Sequence, residues 1–334
     1  MILSLVAAIV AATATYAQSS MLATLSHEGK ISTYYGATAL REAYNAATNG
    51  DIITLSSGSF VAVNIKKALT IRGAGMGLDT TTQTEPTVLT GDFTISIADT
   101  LSARLTIEGI YHNHTITIDN NFKNGTFIKS RFNAITCSSS NNVLKNLTMI
   151  HCKVTGTLKI PGTATVSCVN CYIHNPYCFS QTTSNFEFVN CVICSTYSRT
   201  WSINSSSFKN CILARETSYA LDSSNTAYNC VGVYSGLSDG IFYYMPNTTN
   251  ALVSGYSNVF KSFTGTYNDN VPFELTDTAK EKYKGIDGTQ VGMFGGNMPF
   301  DATPTNPQIT KCNVAAKSTA DGKLSVDITV NGAE

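Results

Sequence analysis

Five phrases decide the fold: Ile150-His151-Cys152-Lys153-Val154, Val169-Asn170-Cys171-Tyr172-Ile173, Val189-Asn190-Cys191-Val192-Ile193, Lys209-Asn210-Cys211-Ile212-Leu213 and Tyr228-Asn229-Cys230-Val231-Gly232. Their cysteines are 19, 20, 20 and 19 residues apart. The register continues upstream without cysteine, at Ile128-Lys129-Ser130-Arg131-Phe132 and Ile107-Glu108-Gly109-Ile110-Tyr111. Leu69 to Gly75 has the same strand-then-glycine form. A period near 20 is too short for tetratricopeptide or ankyrin units, and no repeat contains a leucine-rich frame. Within each repeat apolar residues alternate with period two and are rich in Val, Ile, Phe and Thr, which is strand patterning. Helical periodicity is confined to Ala37 to Ala47. Short strands recurring once per repeat, without helices between them, fit an all-β, single-stranded parallel β-helix. Each coil should carry roughly three strands, with successive coils about 4.8 Å apart.

Parallel stacking places equivalent residues of neighbouring coils above one another. In the third phrase Val189, Cys191 and Ile193 should point inward, with Asn190 at a sharp bend where the left-handed backbone suits asparagine. Asn170, Asn190, Asn210 and Asn229 should then form a ladder of side-chain amides along the axis. Cys152, Cys171, Cys191, Cys211 and Cys230 should form an inward column, used as small, buried packing material. The repeats should give nine or ten coils, ending near residue 265.

The 334 residues carry 22 Lys+Arg against 22 Asp+Glu. Only 13% of residues are charged, about half the usual share, and a neutral chain without clustered cations is a poor nucleic-acid binder. With 43% hydrophobic residues it can fill a core. Ile2 to Ala12 is an apolar run followed by small residues, which reads as a secretory signal over residues 1–17; the run is too short to span a bilayer. Export to the periplasm, the outer surface or the extracellular space is the expectation. Residues 18–297 should form the β-helix, with an N-terminal cap and an irregular C-terminal segment. Residues 298–334 should form a Pro-rich linker and a strand pair about Ala320-Asp321-Gly322.

The passage from Ala39 to Phe60, followed by Ile65 to Gly75, resembles the opening of the pectate-lyase-like right-handed β-helix superfamily. There a short capping helix precedes a Gly-Asp and a first strand, here Gly50-Asp51 and Ile52 to Leu55. The resemblance covers roughly residues 37 to 260 and implies a right-handed parallel β-helix; the superfamily contains lyases, hydrolases, adhesins and proteins of no known activity. The closing stretch Asp287 to Thr310 resembles the tail of exported bacterial β-helix proteins of uncharacterised function.

Glycoside hydrolysis in that superfamily uses Asn-Thr-Asp, Asp-Asp and Gly-His-Gly motifs, and none occurs here. Paired carboxylates are what the chemistry requires. The Arg-x-Pro-x-x-Arg phrase of calcium-dependent lyases is also missing, and between Asp119 and Asp222 the only acids are Glu187 and Glu216. A lyase on an anionic glycan would need a base and a cation to neutralise the substrate carboxylate. Lys129, Arg131, His151 and Lys153 are the weak candidates, expected as an outward cationic patch on two coils. Tyr172, Tyr197, Trp201 and Tyr219 are weak candidates for stacking sugar rings, in a groove suited to neutral or weakly charged glycans.

Cys168-x-x-Cys171 and Cys191-x-x-Cys194 have zinc-like spacing, but strand parity should turn Cys168 and Cys194 away from the column. His112 and His114 should share one face and read as surface. No metal or cofactor is expected. The function expected is carbohydrate-associated binding or a structural role. A polysaccharide lyase and an adhesin-like surface binding protein are the alternatives.

Overall fold

The computed structural model describes residues 21–79, 84–98, 104–119, 121–161, 163–178, 185–195, 203–215, 221–234, 240–245, 249–265, 272–306, 308–314, 317–319 and 321–331. The expected signal segment lies outside them. The chain folds as a parallel β-helix of about eight turns. An antiparallel hairpin, Leu22–His27 with Lys30–Tyr35, comes first among the described residues and pairs its first strand with Ile52–Leu55. The helix Ala39–Ala46 then buries Ala39, Leu40, Ala43 and Tyr44 against the first coil. Lys67 Nζ donates to the carbonyls of Tyr44 and Ala47, both at 2.7 Å, which satisfies helix-end acceptors that have no partner within the helix.

Each coil sends one strand into each of two sheets. In the first sheet Leu105–Glu108, Phe122–Ile128, Val143–Ile150, Thr163–Val169 and Asn185–Val189 run parallel and adjacent. The second sheet stacks Ile110–Ile118, Arg131–Cys137, Lys153–Ile160, Tyr172–His174 and Val192–Ser195 in the same way. In the middle coils these second-sheet strands shift register between Phe132 and Ala134 and continue as a third face. The three-strand coil therefore holds there.

The corner between the two sheets is a single left-handed residue. Lys129, His151, Asn170, Asn190, Asn210 and Asn229 have φ of 45°, 52°, 49°, 50°, 55° and 52°. Each of the first five donates its N–H to the carbonyl preceding the equivalent residue of the next coil, as from Asn170 N to Val189 O at 3.0 Å. Asparagine tolerates this backbone best among residues with a side chain.

The corner also resets the alternation of faces. Phe188 and Cys191 both point into the core, while Val189 between them is half-buried on the outer side. Val189 was expected to point inward, and Cys168 was expected to face away from the core that it in fact joins. A left-handed residue inverts the direction of the following side chain, and simple period two does not count it. Inward, Phe186, Phe188 and Phe208 stack with centroids 5.0 and 5.1 Å apart. Beside them Cys152, Cys171, Cys191, Cys211 and Cys230 form the expected buried column. The N–H of Cys152, Cys191 and Cys211 approaches the thiol of the next coil at 3.3–3.4 Å.

After its last coil strand, Ala251–Ser254, the chain folds back over the outside of the second sheet. Tyr172, Val192, Ile212 and Val231, in register on successive coils, are sealed there by Phe260, Phe263, Phe273, Leu275 and Met293. Within this layer Thr276 caps the helix Asp277–Lys282, its Oγ1 accepting from Ala279 N at 3.2 Å. The tail is a separate antiparallel pair, Gln308–Val314 with Val326–Asn331.

Candidate functional site

The returning chain forms a strap, residues 284–306, that follows the corner row towards the N-terminal coils. Asn229 Nδ2 donates to Lys284 O at 3.3 Å, and Asn210 Oδ1 accepts from Ile286 N at 3.0 Å. Asn170 Nδ2 donates to Met293 O at 2.9 Å and to Gly295 O at 2.7 Å. His151 Nε2 meets Met298 O at 3.1 Å. Lys129 Nζ donates to Asp301 Oδ2 at 2.7 Å and to Thr303 O at 2.8 Å. Thr305 donates to Glu108, and Asn306 Nδ2 donates to Gly73 O at 2.7 Å.

Asn170, Asn210 and Asn229 therefore bond the strap rather than forming the expected amide ladder along the axis, and Asn190 Oδ1 is enclosed without a partner. An amide pair of that kind occurs elsewhere, from Asn146 Nδ2 to Asn124 Oδ1 at 3.1 Å. Glycine lets the strap come this close. A Cβ on Gly296, whose φ is 80°, would lie 2.2 Å from Asn190 Nδ2, and one on Gly292 would lie 2.7 Å from Ile212 Cδ1.

The strap changes the cationic row. Lys129 and His151 occupy equivalent corners, and Arg131 and Lys153 are register neighbours, so the stacking expected from sequence is present. The outward exposure is not. The Lys129 side chain is 13% exposed and His151 is 7% exposed, because strap residues lie on both. The Phe300 ring packs 6.0 Å from His151 and beneath the Lys153 ammonium at 5.4 Å. The Arg131 guanidinium lies 4.5 Å over the Tyr111 ring. Burial works to raise the Asp301 carboxyl, yet the hydrogen bond from Lys129 prevails and holds it below the usual range.

The aromatic candidates divide. Tyr172 is fully buried and stacks on Phe273 at 4.4 Å, so its ring face is closed to a ligand. Tyr197, Trp201 and Tyr219 lie outside the described residues. The rings of His112 and His114 lie 6.0 Å apart, but only one of them is at the surface. His112 is buried, with Nε2 3.0 Å from Gly91 O, and burial lowers its pKa; His114 is exposed. Cys191 points into the core while Cys194 joins the layer outside it, so these two thiols cannot converge on one ion. Among the described residues no three His, Cys, Asp or Glu side chains are grouped to hold a metal. No helix among them is long and apolar enough to cross a membrane.

Two regular surfaces emerge that the search for catalytic motifs did not single out. On the first sheet Thr70, Thr106, Thr126, Thr148 and Ser167 are register partners on successive coils, before Glu187 interrupts the row. Each stands three residues before the corner position of its coil, at Gly73, Gly109, Lys129, His151 and Asn170, a spacing readable from sequence once the corners are known. On the third face Thr94, Thr117, Thr136, Lys159 and Tyr177 line up in the same way. Thr115, Ala134 and Thr157 run beside them. All eight third-face residues are half-buried, with their alternate neighbours Ile116, Ile135 and Leu158 in the core.

No family model, curated protein or solved structure matches this chain. The parallel β-helix stands on the architecture alone. Its arrangement presents a repeating, mostly uncharged polar column on the third face, and the strap covers the corner row that brings Lys129 and His151 together.

Proposed function

We propose that this is an exported β-helix protein with a carbohydrate-associated binding or structural role at the cell surface or in the periplasm, and that its fold belongs with the pectate-lyase-like superfamily. The observation carrying the binding role is the repetition of hydroxyl columns along the β-helix axis. Hydroxyl groups spaced by the strand separation of about 4.8 Å offer a chain molecule the same contact at every coil. Uncharged hydrogen-bonding groups on a rigid wall suit sugars, which combine apolar ring faces with many hydroxyls. The lyase alternative draws less support, since Lys129 and His151 would have to meet substrate where Met298, Asp301 and Thr303 now lie.

The test is a glycan array with the full chain, alongside assays for unsaturated products from pectin, alginate and glycosaminoglycan. Saturable binding without turnover is expected. Turnover abolished by Lys129→Ala or His151→Ala would replace this reading with the lyase, and absence of any glycan binding would remove it.

A further inference from the structure

We infer that the third face is the binding track, and that its ligand is an uncharged, extended polysaccharide lying along the β-helix axis from Thr94 to Tyr177. This rests on the carbohydrate reading above and adds the site, the ligand class and the direction.

Four features lead there. First, the column Thr94, Thr117, Thr136, Lys159, Tyr177 is unbroken in register over five strands. Four spacings of about 4.8 Å give a straight track of roughly 19 Å. The first-sheet row is less suitable, because Thr126 is buried, its Oγ1 enclosed without a partner.

Second, the described column includes an aromatic ring. Tyr177 is half-buried beside Lys159, whose ammonium lies 5.7 Å from its ring centroid. A ring in line with a hydroxyl column can stack a sugar face and fix the register of the bound chain.

Third, the strap contacts run along the opposite end of the second-sheet strands, at the corner row, and include none of these five residues.

Fourth, the charge distribution selects the ligand. The cations of the corner row are engaged there, Lys129 by Asp301 and Lys153 by Phe300. The track itself holds one cation, Lys159, already packed against Tyr177.

Full-length protein should be tested by affinity electrophoresis against neutral β-glucan, mannan and chitin oligosaccharides, and against polygalacturonate, alginate and chondroitin sulfate. Circular dichroism should confirm each variant's fold. At least one neutral glycan should retard wild type, and the acidic set should not. Tyr177→Ala should weaken binding roughly 2- to 12-fold, the equivalent of one stacking contact. Thr117→Lys with Thr136→Lys should abolish binding by placing two ammonium chains across the track, and Thr117→Ser with Thr136→Ser should retain it.

Neutral binding unchanged in the double lysine variant would overturn the placement. Binding to acidic glycans alone would overturn the ligand class while leaving the carbohydrate reading intact. Retardation by neither set would overturn both.

Discussion

Replacing Asn170 with alanine should release the strap. Asn170 is 1% exposed and gives both bonds of its amide nitrogen to strap carbonyls, Met293 O and Gly295 O. A buried acceptor left without its donor costs about 1–3 kcal/mol. Strap carbonyls can turn to water once the strap relaxes, so about 1–1.5 kcal/mol each applies, or roughly 2–3 kcal/mol for the pair. Alanine must also hold φ near 49°, which adds about 1 kcal/mol. The expected loss is therefore about 3–4 kcal/mol. Asn170→Gly, which accepts that backbone, should lose only the hydrogen-bond part.

Stacked repeats need not unfold in one step, so the effect is best read locally by native-state hydrogen exchange. The amides of Gly292 and Phe300, which donate to Asn210 O and Met293 O at 2.8 Å, should lose protection by roughly two to three orders of magnitude in the alanine variant. Exchange within threefold of wild type, or a glycine variant as impaired as the alanine one, would refute the reasoning.

Gly296→Ala should lower stability by about 1–3 kcal/mol in chemical denaturation, because its Cβ would fall 2.2 Å from Asn190 Nδ2; an unchanged midpoint would show that the strap gives way freely. Burial pushes the thiols of Cys152, Cys191 and Cys230 well above their ordinary pKa, and that of Cys137 up to about 12. These cysteines should resist alkylation in the native protein and react in urea, and a bridge between two column cysteines in unreduced material would contradict the packing role. The N-terminal hairpin should show a pH window. The hydrogen bond to Asp51 raises His27 above 6.5, while at Asp51 burial acts upward but the Thr48 N–H and His27 prevail and lower it below 3.8. The His27 contribution is complete below 6.5 and is lost as pH rises through its raised value. The Asp51 contribution is complete above 3.8 and is lost as pH falls through its lowered value. Exchange protection across the pairing of Leu25 with Ile53 should thus be greatest between 3.8 and 6.5, and His27→Gln should flatten its alkaline limb.

Much of the β-helix was legible because its signal is periodic. One corner residue and one inward cysteine per coil repeat at a spacing that only stacked coils explain, so Asn170, Asn190, Asn210 and Asn229 could be placed at bends without coordinates. What the corner side chains bond could not be read, since their partners lie 55 to 174 residues away in a segment without periodicity. Glycines at 292, 295 and 296 were the available sign of a close approach there. The same strap hid Lys129 and His151, which by local pattern alone stood at the surface. Tyr172 misled for a related reason, because a side chain outside a sheet is exposed only if nothing returns to cover it. Thr117 and Thr136 passed unnoticed because threonine is ordinary in strands, and only exact register turns scattered hydroxyls into a column.

A stack of coils held solely by neighbour contacts would peel under tension like a zipper, one rung at a time. The strap runs lengthwise over that stack, from Asn229 back to Gly73, and works as a tendon. Tension along the axis loads its anchor points together in shear, so the coils it spans should yield in one event at higher force. It also sets an order of assembly: the anchors belong to finished corners, so the tendon can be drawn tight only after the coils beneath it exist.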